Sequence, residues 1–368
     1  METIEDLLGV QESVATAVAP KTEKDVSFSF LFFSDVRKDV SDAEKYRFMK
    51  DVTVFGDKAG FEAVYIPERH FYEFGSIYAN SAVMAAYLIP QTERIRFRTA
   101  GVSLPLHHPA EVVEWWAMND ILSNGRVDLG FGTGWNRPDF IYAPDNYEDR
   151  KQICWDRIPV VQKLWRGETV NFPGVGGENV PTTVYPRPIQ KDLNVWLLAT
   201  KADDSFIHAG KMGYNVFTML YGIDLDAMGK KIALYRKARE EAGFDPNTGT
   251  VSLMLHTMVH QDASTVEQAV EAPFKAYIKS SMNAHLKAME SGTGPMDEAE
   301  KEKILSYAYH RYFTTGAVFG SVEDARKVVD HAIAVGVNDV ACLVDFGVDY
   351  DMVRDSLPYL KELVSHYL

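Results

Sequence analysis

Residues 26–33 alternate polar and apolar side chains and then turn wholly apolar, the pattern of a strand entering a core. From there, helical and strand-like periods replace each other along the whole chain. Residues 42–60 carry a helical period that ends on Gly60, a C-terminal cap candidate. The β-branched run 63–66 follows at once and stops at Pro67. The pattern predicts helices over 81–89, 109–122, 146–165, 202–212, 225–242 and 322–335, and strands over 95–104, 127–131, 195–199, 215–220, 251–260 and 339–346. Pro109 fits the first turn of its helix. A long, polar helical stretch over 265–312 is broken near 292–295 by Gly-Thr-Gly-Pro.

Strand and helix thus alternate about eight times, which favours a closed (β/α)₈ TIM barrel over an open doubly wound sheet. Residues 1–24 read as an N-terminal extension or linker and 25–368 as one domain. The Gly- and Pro-rich excursion at about 171–188 and the stretch at about 262–320 read as insertions.

Composition narrows the class. A chain of 368 residues with 46% hydrophobic and 24% charged content can bury a large core without disulfides. Cys154 and Cys342 have no CxxC or histidine spacing and read as buried thiols in a reducing compartment. A net charge of −14 with no basic stripe argues against nucleic acid. No apolar run approaches membrane-spanning length and the N-terminus is acidic, so the expected location is the cytoplasm.

Candidate chemistry gathers at strand ends. After the 63–66 strand come Pro67-Glu68-Arg69-His70-Phe71-Tyr72-Glu73-Phe74-Gly75, a carboxylate, a guanidinium and an imidazole among aromatic rings. Such a cluster at the C-terminal end of a buried strand fits a catalytic pocket; the competing reading is an ion-paired surface loop. Gly130, Gly132 and Gly134 strip side chains from the end of the fourth strand, where backbone can approach a flat or phosphorylated ligand; tight strand packing explains the same glycines. The spacing is not that of a dinucleotide fingerprint. Thr200-Lys201-Ala202-Asp203-Asp204-Ser205 opens a helix and offers N–H groups to a phosphate, or is simply an N-cap. His107-His108 ends the third strand and suits acid–base work or ligand contact. No HExxH-like spacing appears, so no metal site is expected.

In order along the chain, these motifs resemble the bacterial luciferase family of flavin-dependent monooxygenases. Glu68-Arg69-His70-Phe71-Tyr72-Glu73-Phe74-Gly75 is similar to the luciferase α-chain segment Glu-His-His-Phe-Thr-Glu-Phe-Gly. Ala100-Gly101-Val102-Ser103-Leu104-Pro105 with His108-Pro109, Asn124-Gly125-Arg126 and Asp139-Phe140 also fall in register. Gly134-Trp135-Asn136, Ala143-Pro144, Trp165-Arg166-Gly167-Glu168, Lys275-Ala276-Tyr277 and the run 341–347 are similar to a biosynthetic branch found in polyketide and nonribosomal peptide pathways.

The resemblance implies reduced FMN at the strands' C-terminal ends as cosubstrate with dioxygen. It also implies a flavin reductase partner, an acyl carrier protein-bound substrate and a homodimer. Catalysis falls to Glu68, Arg69, His70 and His108. Flavin contacts fall to Ala100, Gly101, Gly132, Thr133, Asn136, Asp139, Thr200, Lys201, Ala202 and Ser205, with a non-prolyl cis peptide at Ala100-Gly101. Substrate contacts fall to His107, Trp135 and Arg311, the last within His310-Arg311-Tyr312. The chain departs from luciferase where Arg69 replaces the first histidine of the pair. An arginine stays protonated and cannot be a base, but it can hold negative charge on the flavin. The expected activity is oxygenation, by Baeyer–Villiger insertion or hydroxylation, with a deazaflavin-dependent hydride-transfer enzyme or a non-catalytic flavin-binding barrel as alternatives.

Overall fold

The computed structural model describes residues 26–32, 37–71, 77–289, 306, 309–310 and 312–368, with side chains through 280 in the long helix. The expected extension 1–24, much of the 262–320 insertion and Arg311 lie outside these residues.

The architecture is a closed barrel of eight parallel strands. Its staves are β1 (Ser27–Leu31), β2 (Ala63–Ile66), β3 (Arg96–Thr99) continued by β4 (Val102–Ser103), β5 (Val127–Gly132), and, after the two-stranded hairpin of β6 (Val170–Pro173) and β7 (Asn179–Thr182), β8 (Val195–Leu198), β9 (Asn215–Met219) and β10 (Val251–Val259). A short β11 (Ala317–Gly320) extends pairing along the C-terminal half of β10, and β12 (Asp339–Leu343) completes the ring against β1. The β9–β10 pairing closes it. Helices connect successive parallel strands, as parallel pairing requires, and one more follows the last strand. They are α1 (Asp42–Ala59), α2 (Ser81–Leu88), α3 (Pro109–Leu122), α4 (Arg150–Arg166), α5 (Asp203–Lys211), α6 (Leu225–Glu241), α7 (Ala263–Met289), α8 (Val322–Ala334) and α9 (Tyr350–Ser365).

Local chemistry sets the boundaries. Ser41 caps α1, and Gly60 ends it in the left-handed region at φ 89°. Two elements differ from the sequence pattern. β11 lies at the end of the expected 262–320 insertion, between the helical stretches 265–312 and 322–335, where no strand was expected because four wholly buried residues give neither alternation nor a turn signal. The 171–188 excursion holds the β6–β7 hairpin.

The barrel's floor is polar. Asp339 at the start of β12 accepts hydrogen bonds from Ser27, Ser29, Tyr65 and Ser252 at 2.6–3.1 Å. Arg98 pairs with Asp128 at 2.7 Å and Asp339 at 3.4 Å, its guanidinium 4.4 Å from the Trp196 ring centre. Arg96 holds the other side of Asp128 at 2.6 Å. Arg98, Asp128 and Asp339 are buried but paired, which is the condition under which such charges are tolerated.

The third stave breaks at Ala100-Gly101, where Gly101 sits at φ 118° and an added Cβ would lie 2.5 Å from Leu198 Cδ2. The expected cis peptide there is corrected: among the described residues the cis bond is Tyr185-Pro186, and the kink is made by the glycine's φ alone. Thr99 Oγ1 fills the gap, donating to Gly130 O at 2.7 Å and accepting from Gly130 N at 2.8 Å. Gly130 is itself required, because a Cβ would stand 2.3 Å from Thr99 O.

Candidate active site

The kinked third stave and the loops after β2, β5, β8 and β9 open a cavity of about 580 Å³ at the C-terminal end of the barrel. This is within the range of roughly 300–1,000 Å³ for cofactor and ligand pockets. One side is backbone and small side chains: Ala100, Gly101, Gly132, Thr133, Gly134 and Leu198. Thr200 and Lys201 continue it toward the start of α5. The lining also holds an aromatic side, built from Phe274 and Tyr277 of α7 with Tyr312 and His256, together with Met254. Glu68, Arg69 and Trp135 line the same cavity.

Glu68 is the hub of a buried network. Its Oε1 lies 3.0 Å from His70 Nε2 and 2.8 Å from His107 Nε2. Burial works to raise the Glu68 pKa, but the hydrogen bonds from His107 and His70 win and hold it below the usual carboxylate range. Burial likewise opposes the charged form of His107, and the Glu68 hydrogen bond overcomes it, so the His107 pKa is raised. The two shifts describe one ion pair. Its stabilisation is present above the unfolded carboxylate pKa and below the unfolded imidazole pKa, and fades as pH rises through the elevated His107 value or falls through the depressed Glu68 value. In Glu68→Gln the His107 pKa should drop toward or below the ordinary imidazole value, read from its Cε1 proton by NMR titration. An unchanged His107 curve would break this account of the pair.

Sequence spacing gave no metal site, yet the fold brings Glu68, His70 and His107 together with ligand atoms within 4.8 Å of one another. A carboxylate and two imidazoles suit a divalent cation chemically. The same atoms are already hydrogen-bonded to each other, so a metal would have to displace both contacts.

Arg69 is buried, its guanidinium 5.9 Å from the Trp135 ring centre. Burial pushes its pKa down to about 10, offset in part by Tyr277, Asp345 and Asp139, so it carries its charge at neutral pH. Asp345 is fixed by Tyr78 Oη at 2.9 Å.

Of the residues singled out from sequence, Glu68, Arg69, Ala100, Gly101, Gly132, Thr133, Trp135, Thr200 and Lys201 line the cavity. His70 and His107 stand behind Glu68 and reach the cavity through it; the expected His107–substrate contact is replaced by the Glu68 bond and an edge-on packing against Trp115. His108 does not reach the cavity: it is exposed, and its Nδ1 caps α3 by accepting from Ala110 N at 3.3 Å. Asn136 and Asp139 bond each other at 2.6 Å in the turn after β5 and do not face the cavity. Burial raises the Asp139 pKa to about 6.

Ala202 and Ser205 lie beside the α5 start, outside the cavity lining. Ala202 is the N-cap and has no side chain to cap with, so the first-turn amides meet no side-chain acceptor from that position. Asp203 and Asp204, which oppose an anion there, are turned to Lys231 of α6 and Lys151 of α4.

The aromatic side is what the strand-end motifs did not reveal. Tyr277 and Tyr312 occur in motifs noted above, but His256 and Met254 carry no local signal, because every position of β10 is buried, and Phe274 is one apolar residue within the long helix α7.

The luciferase-like monooxygenase family model matches residues 26–338. The chain belongs to that family. An alkanal monooxygenase alpha chain of Photorhabdus luminescens is 35% identical over 83% of this chain and 89% of its own length. The oxygenase component of a flavin-dependent trigonelline monooxygenase of Acinetobacter baylyi is 23% identical over 89% and 91%. An uncharacterized protein, y4vJ, of Sinorhizobium fredii is 23% identical over 63% and 66%.

Among solved structures, monooxygenase RslO1 of Streptomyces bottropensis superposes with TM-score 0.76 at 20% identity, covering 93% of this chain and 100% of its own. The oxygenating constituent of 3,6-diketocamphane monooxygenase of Pseudomonas putida, a type II Baeyer–Villiger enzyme in complex with FMN, gives TM-score 0.71 at 16% identity over 93% and 98%. An F420-dependent secondary alcohol dehydrogenase gives 0.70 at 15% over 94% and 99%. These structures share the barrel. Membership in the family makes the chain a flavin-dependent monooxygenase. No helix among the described residues is long and apolar enough to cross a membrane.

Proposed function

We propose that this chain is the oxygenase of a two-component system, taking reduced FMN from a separate reductase and using dioxygen to oxygenate a biosynthetic intermediate, by Baeyer–Villiger insertion or hydroxylation. The observation that carries this reading is one cavity whose lining joins glycine-rich backbone, a set of aromatic rings, and the charged pair Arg69 and Glu68.

The residues present fit the cofactor. The bare backbone of Gly101, Gly132 and Gly134 accepts a flat ring at close range, and side chains at these positions would crowd Leu198 or Phe140. Thr133, Thr200, Lys201 and the first-turn amides of α5 would hold the phosphate. Lys201 stands 4.1 Å from the Tyr221 ring centre at the cavity edge. Reduced FMN, when bound, supplies the electrons that activate dioxygen.

The protein's own contributions are electrostatic and steric. Arg69 places a fixed positive charge in a water-poor site, where it stabilises negative charge more than it would in solution. The Glu68 carboxylate is paired with His107 and in contact with His70, and the His107–Glu68 pair can hand a proton to or take one from a group in the cavity. Aromatic side chains exclude water from the reaction space. The ordered likeness to biosynthetic enzymes favours a substrate tethered to an acyl carrier protein, and the wider resemblance favours a homodimer. The trigonelline enzyme's description as an oxygenase component favours a separate reductase.

Lys201→Ala should weaken reduced-FMN binding about ten-fold at low salt, and by less as salt screens the contact. Anaerobic fluorescence titration at two ionic strengths measures both. For turnover, purified protein supplied with NADH, FMN and a flavin reductase under ¹⁸O₂ should place one labelled oxygen in a carrier-bound β-ketoacyl product. Absence of label from every member of such a panel counts against oxygenation of this substrate class.

A further inference from the structure

The two imidazoles behind Glu68 turn the same nitrogen to the same oxygen. Glu68 Oε1 lies 3.0 Å from His70 Nε2 and 2.8 Å from His107 Nε2, and the ligand atoms of the three residues fall within 4.8 Å of one another. An ion bonded to nitrogen or oxygen at about 2.0–2.1 Å holds neighbouring ligand atoms about 2.9 Å apart at right angles and about 3.4 Å apart in a tetrahedron. Both Glu68 contacts already stand within about 0.1 Å of the first figure.

The frame around the three groups is fixed. The His107 N–H donates to Leu104 O at 3.2 Å, its carbonyl accepts from Arg157 Nη1 at 2.7 Å, and its ring packs edge-on against Trp115 at 5.5 Å between centres. The His70 ring rests edge-on against Tyr142 at 5.3 Å, and between the two ligands Arg69 N donates to Tyr78 O at 3.1 Å. The side chains of Glu68, His70 and His107 are 5%, 8% and 13% exposed, so water competes weakly for their ligand atoms. Glu68 lines the cavity, which gives an ion a route to the cluster. Neighbouring charges oppose each other: Asp139 and Glu111 favour a cation, Arg69 and Arg157 disfavour one. The donor set is left to decide.

We propose that Glu68, His70 and His107 form a binding site for a divalent first-row transition cation, Zn²⁺ foremost, with two imidazole nitrogens and one carboxylate as the protein ligands. Two histidines and a carboxylate are an effective donor set for such ions. The cation takes the place of the hydrogens that join the Glu68 oxygen to the two nitrogens. In the metal-free protein the same hydrogen bonds keep all three buried groups satisfied, so the fold does not depend on the metal.

The test uses untagged full-length protein, stripped of metal and without flavin, so its outcome is independent of the oxygenase reading. Zn²⁺ titrated in competition with a chromophoric chelator should bind one ion per chain with a dissociation constant of about 1 μM or tighter. Glu68→Gln, His70→Gln and His107→Gln should each weaken that binding by at least about 100-fold, beyond what loss of an outer-shell partner costs. His108→Gln, one residue away but exposed, should leave it unchanged, as should His331→Gln, which removes an exposed histidine 2.9 Å from Asp226. No binding at this affinity overturns the proposal, as does binding that survives the three ligand variants or is lost in His331→Gln instead. If the ligand variants do not fold, ¹⁵N-histidine NMR of the wild type decides: the Nε2 resonances of both His70 and His107 must move on adding one equivalent of Zn²⁺. Movement of one alone, or of neither, overturns the site.

Discussion

Replacing Arg69 by methionine should lower turnover with reduced FMN and dioxygen by about 100- to 1,000-fold, the usual cost of removing one preorganised donor from a site of developing negative charge. Reduced-FMN affinity should fall much less, by no more than about ten-fold. The reason lies in position: Arg69 is buried in the cavity lining, keeps its proton despite burial, and stands near Tyr277, Asp345 and Asp139. Arg69→Lys restores the charge without the planar fork and should recover part of the rate. Arg69→His places a titratable group where the resemblance to luciferase expects one, and should make turnover depend on pH near the imidazole range. Steady-state kinetics of the three variants across pH measure all of this. Wild-type turnover in Arg69→Met would show that the guanidinium is structural only.

The second large effect concerns stability. Asp339→Ala should destabilise the barrel by about 3–5 kcal/mol, because removing one partner from a buried ionic network leaves the others uncompensated. Arg98 would keep Asp128 but lose its 3.4 Å contact with Asp339, and the hydroxyls of Ser27, Ser29, Ser252 and Tyr65 would lose a shared acceptor. Urea denaturation at neutral pH reads the loss as a lower midpoint at nearly constant slope. The partner carboxylate adds an acid limit. Burial opposes ionisation of Asp128, yet Arg96 and Arg98 hold its pKa below the usual range. Its contribution is therefore present above the unfolded carboxylate pKa and is lost as pH falls through the depressed folded value. Wild type should accordingly lose stability in acid through this network.

Much of this was legible in the chain. Periodicity placed the staves because parallel strands read as short apolar runs and their crossover helices read with a 3.6-residue period. Gly60, Pro67 and Pro109 marked real boundaries. Glu68, Arg69 and the strand-end glycines stood out because polar and bare positions interrupt buried strands. The shortfalls have physical causes. His108 looked equivalent to His107, but one residue of helix start turns it outward into an N-cap. Asn136 and Asp139 looked like ligand groups and satisfy one another instead. The metal-like arrangement of Glu68, His70 and His107 is a contact between loops 39 residues apart in sequence, which no local spacing encodes. His256 was invisible because a strand buried along its full length gives no contrast between core and cavity positions.

The account stands on the cavity being a site for reduced FMN, and a paired anaerobic titration with reduced FMN and reduced deazaflavin tests that directly. Reduced FMN should bind with micromolar or tighter affinity and at least about ten-fold ahead of the deazaflavin. Preference for the deazaflavin, matching the cofactor of the secondary alcohol dehydrogenase that shares this barrel, or binding of neither, would contradict it.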